Sequence, residues 1–176
     1  ETDHIFCNSY VSSTNFTMKI GVLTIGAELL NGARIDTNSN WISKTVIDHG
    51  GMVEFNISTK DNQSSIIKAL DFLLDQSIDM IITTGGLGPT HDDITAKTLF
   101  EYFDDIPILD EKYWNFLVSR FKKKGFKVSA LNKTLALKPS NGKIIDNPIG
   151  TARGLHFSSN DKEIIALPGV PSEMKS

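Results

Sequence analysis

The run from Met80 to Asp93 restricts the possible folds more than any other part of the chain. Met80-Ile81-Ile82 is apolar, Thr83-Thr84 follows, and the chain then enters Gly85-Gly86-Leu87-Gly88-Pro89-Thr90-His91-Asp92-Asp93. Beyond it, Ile94, Thr98, Leu99, Tyr102 and Phe103 recur at helical spacing. The order reads as a buried strand, a glycine turn and a helix. Glycine lets backbone approach a ligand closely and adopt positive φ. A helix N-terminus offers unpaired N–H groups, so the loop is expected to be an anion cradle. Asp92 and Asp93 beside such a cradle suit a cation between carboxylate and phosphate, as in many magnesium sites. A structural account stands beside this one. Thr90 with Asp93 fits a capping box, and acids in a first helical turn are favoured by the dipole alone.

The rest of the chain repeats the alternation. Strands are expected at Lys19 to Ile25, Met52 to Ser58 and Asp79 to Thr83, with helices over Asn40 to His49, Ser64 to Gln76 and Ile94 to Tyr102. Alternating strands and helices imply an α/β fold with a parallel sheet covered on both faces and right-handed crossovers. A further helix is expected over Asp110 to Lys124, with Trp114, Leu117, Val118 and Phe121 inward, and a short one over Ser129 to Leu137. Lys143 to Ile145, Gly154 to Phe157 and Glu163 to Leu167 are closely spaced late strands. They suggest a hairpin and therefore a mixed sheet.

Three further clusters lie at expected strand ends. Glu28 and then Asp36 and Asn38 follow the first strand; Gly150 and Thr151 lie in Asn147-Pro148-Ile149-Gly150-Thr151-Ala152-Arg153; Pro168 and Gly169 follow the last strand. Open α/β sheets bind ligands beyond the carboxyl ends of strands where strand order reverses. On that logic the first and third strands bring Glu28 and the Gly85 loop to one rim. Each cluster also reads as an ordinary turn, and Asp36 or Asn38 as an ordinary N-cap.

Composition narrows the function. A net charge of −3 implies no general affinity for nucleic acid, so phosphate would be held locally. No apolar run reaches the length of a membrane span, and the single cysteine, Cys7, fits a reducing, cytoplasmic setting. The histidines are scattered without a zinc pattern, no Walker lysine follows the glycine loop, and no nucleophile elbow is present. Residues 1–17 are polar and aperiodic, and are expected to be a disordered leader or non-native extension. Residues 18–176 are expected to form one domain that lacks its C-terminal end.

The pieces G-A-E-L-L-N-G, D-T-N-S, T-T-G-G-L-G-P-T-H-D-D, N-P-I-G-T-A and L-P-G-V-P-S-E-M resemble, in this order, the molybdopterin-binding-like (MoaB/MogA-type) domain family. More specifically they look like the N-terminal domain of CinA, the competence/damage-inducible protein A. Leu87 and Pro89 favour that branch over pterin-binding relatives with T-T-G-G-T-G. Ala27, Arg153, Leu131 and Leu135 depart from the family pattern. The resemblance implies a three-layer α/β/α sandwich with a mostly parallel sheet. It also implies a metal-dependent pyrophosphatase that hydrolyses ADP-ribose or a similar nucleoside diphosphate-sugar, with Mg, Mn or Co as the divalent metal.

In that scheme Asp92 and Asp93 hold the metal, Glu28 or Asp36 assists, and Gly85, Gly86, Leu87 and Gly88 hold the diphosphate. Thr90, Asn38, Gly150, Thr151, Pro168 and Gly169 complete the ligand site. The alternative is a non-catalytic molybdopterin- or nucleotide-binding module of a larger CinA-like protein. A homo-oligomer, dimer or trimer, is expected, as is a small-molecule nucleotide or pterin ligand. A valine at Gly86 is expected to fill the phosphate space and leave the fold intact.

Overall fold

The computed structural model describes residues 17–176, so the expectations for the leader and for Cys7 lie outside the described residues. Strand β1 (Lys19–Ile25) leads through a one-turn helix α1 (Ala27–Leu30) to α2 (Thr37–Asp48). Strand β2 (Met52–Thr59), α3 (Gln63–Leu74), β3 (Met80–Thr84) and α4 (Thr95–Tyr102) follow. Next come β4 (Ile108–Leu109), α5 (Glu111–Lys123), a 3-10 helix (Ala130–Ala136) and β5 (Leu137–Lys138). The chain closes with β6 (Lys143–Ile145), β7 (Gly154–Ser159), β8 (Lys162–Leu167) and α6 (Pro171–Met174).

The main sheet has the order β2-β1-β3-β8-β7-β6. β1 pairs in parallel with β2 and β3, and β3 with β8; β7 runs antiparallel to both β8 and β6. The expected mixed, mostly parallel sheet and its late hairpin are therefore present. β2 lies on one side of β1 and β3 on the other, so strand order reverses at β1.

Alternation along the strands divides the core. Leu23 and Ile81 face α3 and α4 and pack with Ile66, Leu70, Leu73 and Leu99. Ile20 and Val22 face the opposite layer and pack with Ile42 and Val46 of α2 and Met174 of α6. Leu70 is fully buried in the first layer. We expect Leu70→Ala to lower unfolding free energy by about 2–5 kcal/mol, because the missing atoms leave a cavity. A loss below about 1 kcal/mol in chemical denaturation would contradict that packing.

Several boundaries move. α2 starts three residues before the expected Asn40, because the Asp36 side chain accepts a hydrogen bond from Ser39 N and caps it. α4 starts at Thr95, so Thr90 is not its N-cap. Asp93 instead accepts hydrogen bonds from Thr90 N at 2.9 Å and Thr90 Oγ1 at 2.6 Å, which closes a turn ahead of the helix. The expected helix from Ser129 is a 3-10 helix, and its end enters β5, paired with β4 in a small second sheet that periodicity over two residues could not signal. Of the four inward residues expected on α5, only Leu117 is buried; Trp114 and Phe121 half-cover a separate small cluster around Leu117 and Leu135.

Candidate functional site

The parallel strands β1, β3 and β8 all end at one rim, and a cavity of about 800 Å³ opens there. Among the expected residues it is lined by Glu28, Asp36, Asn38, Gly85, Gly86, Leu87, Gly88, Asp93, Thr151, Pro168 and Gly169. Sequence pieces far apart are thus brought together, as strand order reversal at β1 requires. Thr90, Asp92 and Gly150 are not among the lining residues. Asp92 is exposed, and Gly150 is buried behind the wall.

The rim is built by direct backbone contact. Gly85 has φ +110°, and a Cβ there would overlap the Ile25 carbonyl at the end of β1. Gly86 has φ +67°, and a Cβ there would overlap Thr95 Oγ1. Thr95 N donates to Gly86 O at 3.0 Å, so the start of α4 meets a loop carbonyl. A Cβ at Gly88 would meet the Asp93 carboxylate. Close approach of protein to protein therefore calls for glycine at Gly85 and Gly86 whether or not a ligand also approaches, whereas at Gly88 the neighbour is the end of a side chain that can turn away.

Asn38 ties the rim together. Its Nδ2 donates to Gly169 O at 2.9 Å and to Thr84 Oγ1 at 3.1 Å, and Thr84 Oγ1 donates to Pro168 O at 2.7 Å. The carbonyl acceptor at Gly169 settles which side-chain atom is the nitrogen. Asn38 Oδ1 is buried and has no hydrogen-bond partner.

The far wall is held from α5. Arg120 donates to the carbonyls of Gly150 at 3.0 Å and Ile149 at 3.1 Å, and Tyr113 Oη donates to Thr151 O at 3.1 Å. Asn147 Nδ2 donates to Ala152 O at 2.9 Å and to Glu173 Oε2 at 2.6 Å. Arg153 donates from Nη1 to Asp110 Oδ2 at 2.8 Å and lies 3.8 Å over the Tyr113 ring. The Tyr113 N–H and the Arg153 guanidinium hold the Asp110 carboxyl below its ordinary range, whereas burial pushes Tyr113 up.

Sequence reasoning missed Arg34, Thr84 and Glu173, which also line the cavity. Arg34 lies between the flagged Gly32 and Asp36, and it is the one Lys or Arg on the lining. Four residues with carboxylates share that lining: Glu28, Asp36, Asp93 and Glu173. Glu173 lies in the L-P-G-V-P-S-E-M piece but was given no role, because its link to Asn147 spans 26 residues of sequence. Among the described residues, no three His, Cys, Asp or Glu side chains form a group that would hold a metal ion.

Comparison with known proteins agrees with this fold. Residues 21–176 match the MoCF_biosynth family model, described as "Probable molybdopterin binding domain". A CinA-like protein of Flavobacterium psychrophilum is 42% identical over 90% of this chain, which covers 38% of that protein. A CinA-like protein of Cytophaga hutchinsonii is 42% identical over 88% of this chain, which covers 37% of it. The chain thus spans a little over a third of these relatives. The crystal structure of CinA from Thermoplasma acidophilum, titled as of unknown function, superposes with TM-score 0.79 at 32% identity, covering 90% of this chain and 92% of that one. The tungsten cofactor synthesizing protein MoaB of Pyrococcus furiosus has TM-score 0.58 at 19% identity over 91% of this chain and 87% of its own, a likeness of fold alone.

Proposed function

The chain belongs to the MoCF_biosynth family, and from that membership we propose that its rim cavity binds a phosphate-bearing pterin or nucleotide as a CinA-like binding module. The supporting observation is the 800 Å³ cavity at the ends of β1, β3 and β8, which gathers the glycine loop, Asn38 and the Pro168–Gly169 turn on one lining. A volume of this order accommodates a small organic ligand. Calorimetric titration with ADP-ribose, AMP and a phosphorylated pterin, each with and without magnesium, tests the reading. Heat of binding from at least one is expected; silence from all would overturn it.

One observation favours a second reading, hydrolysis of ADP-ribose to AMP and a sugar phosphate. Four carboxylates against one guanidinium make the lining acidic, which opposes a diphosphate unless a cation comes with it. The side chains do not form an all-protein metal cage. Magnesium, however, is commonly held by one or two carboxylates together with substrate phosphates. Both hydrogen bonds to Asp93 use Oδ2, so Oδ1 is the atom left for such a role. This reading carries a prediction that separates the two acids. Asp93→Asn is expected to cut AMP release from ADP-ribose at least ~100-fold in Mg, Mn or Co, the scale of losing one group that acts on the reacting centre. Asp92→Asn, altering an exposed side chain off the cavity, is expected to change it less than about twofold. Equal losses from both variants would refute the placement, and no AMP release by the parent chain would leave the binding module.

A further inference from the structure

The outward side of α5 and the turn beyond it carry charge and apolar surface that the rim cavity does not use. Residues 111–138 hold 8 of the chain's 18 Lys and Arg residues and one of its 21 Asp and Glu residues, Glu111. Positive charge is thus concentrated on one segment of an acidic chain. Lys112, Lys122, Lys123, Lys124 and Lys127 are exposed, and none of them forms an ion pair among the described residues. Compensation of the helix dipole accounts for lysines in the last turn of α5. It does not account for Lys112, in the first turn where the dipole opposes a positive charge, or for Lys127 beyond the helix.

Aromatic rings stand bare among these lysines. Lys112, Phe116, Ser119 and Lys123 recur at helical spacing and so share one face of α5, where Phe116 is 50% exposed. Beyond the helix Gly125, with φ +73°, turns the chain, and Phe126 is 62% exposed between Lys124 and Lys127. Gly125 N donates to Lys122 O and Phe126 N to Phe121 O, both at 3.0 Å, so the turn is fixed on the helix end. A Cβ at Gly125 would meet no atom within 4 Å. None of these residues lines the rim cavity or a smaller one of about 520 Å³ beside α4. The patch is a projecting turn. A nucleic-acid strand is held in a basic groove whose rings stack on its bases. A projecting ring encircled by lysines instead suits a flat anionic surface that the ring can enter.

We propose that the Lys122–Lys127 turn and the outer face of α5 dock on a lipid bilayer with anionic headgroups. Phe126 enters the boundary between headgroups and acyl chains, and the lysines lie over the headgroups. No described helix is long and apolar enough to cross a membrane, so this contact is peripheral. The other side of α5 holds the cavity wall through Tyr113 and Arg120, which leaves the outer face free to dock. The inference is independent of what the rim cavity binds.

Sedimentation with vesicles tests it on the whole chain. Vesicles of equal phosphatidylcholine and phosphatidylglycerol should bind at least ~100-fold more tightly than phosphatidylcholine alone, since each lysine near an anionic surface contributes about fivefold. Added salt should release the chain. Lys122→Gln, Lys123→Gln and Lys124→Gln together should weaken binding to the anionic vesicles on the order of 100-fold, and Phe126→Ser about 10-fold. The melting temperature should stay near that of the parent in both, because the substituted side chains are exposed. Phe126→Trp should add an emission that shifts to the blue on anionic vesicles. No binding, equal binding to neutral vesicles, or unchanged binding by the folded triple variant would overturn the proposal, as would an unshifted Phe126→Trp emission. A single-stranded oligonucleotide bound more tightly than the vesicles, and released by the same triple variant, would assign the patch to nucleic acid instead.

Discussion

Gly86→Val is expected to lower the stability of the domain by about 3–5 kcal/mol, enough to reduce the melting temperature sharply, and to remove ligand binding with it. Two causes combine. Gly86 has φ +67°, a region that a β-branched residue reaches only with strain. Its Cβ would also overlap the Oγ1 of Thr95, a fully buried residue in the first turn of α4. The new side chain would be directed at Thr95, so binding is expected to be lost through the fold. Gly86→Ala combined with Thr95→Ala isolates the clash, because the overlapping hydroxyl is then absent. The pair should lose less than the sum of the single variants, by more than the ~0.5 kcal/mol expected of independent sites. A Gly86→Val protein that melts with the parent but fails to bind would restore the phosphate-filling account.

Asp110→Ala should be the other severe substitution. Arg153 has a side chain 6% exposed and relies on Asp110, itself 22% exposed, for its one ion pair. Removing the acid leaves a buried guanidinium without a counter-charge, which costs about 3–5 kcal/mol. Loss of the α5 cap, where Asp110 accepts from Tyr113 N at 3.0 Å, adds about 1 kcal/mol. Asp110→Asn keeps the cap and loses the charge, so it should fall between the parent and Asp110→Ala. Adding Arg153→Met to Asp110→Asn should recover part of the loss, because neither charge then remains. The interaction has a defined pH dependence. The folded carboxyl titrates below its ordinary value of 3.8, so its contribution is fully present above that pH and disappears as pH falls through the lower folded value. Below pH about 4 the parent should therefore lose stability more steeply than the Asp110→Asn/Arg153→Met variant. Parallel stability profiles in acid denaturation would remove Asp110 from this role. The Thr151 wall should respond too, since the Tyr113 ring under Arg153 holds the Thr151 carbonyl.

Period and punctuation were enough to find β1, β2, β3 and the late hairpin, because each buries an apolar face of its own. The same signals brought Glu28, Asp36, Asn38 and Gly85 to one rim, since a strand order that reverses at β1 places those loops together. Elements held by little local signal were not legible. The two-residue β4 and β5 exist through each other, and Ile108 to Lys138 is a pairing across 30 residues of sequence. Thr90 looked like a cap, but its hydrogen bonds with Asp93 close a separate turn and α4 begins later. A capping box and an isolated turn share one residue pattern, so only the backbone path distinguishes them.

The sequence alone determined the strand–loop–helix order, the α/β class and the need for glycine at the rim, all of them local consequences of side-chain period and backbone freedom. The tertiary structure decided what those glycines are for and which carboxylates share a space. The atoms crowding Gly85 and Gly86 come from Ile25 and Thr95, on other elements, and Asp93 faces the cavity while its neighbour Asp92 does not. Adjacent side chains in a turn point in different directions, and no pattern of residue types records which direction meets the cavity. That is fixed only when β1, β3, β8 and α4 pack against one another.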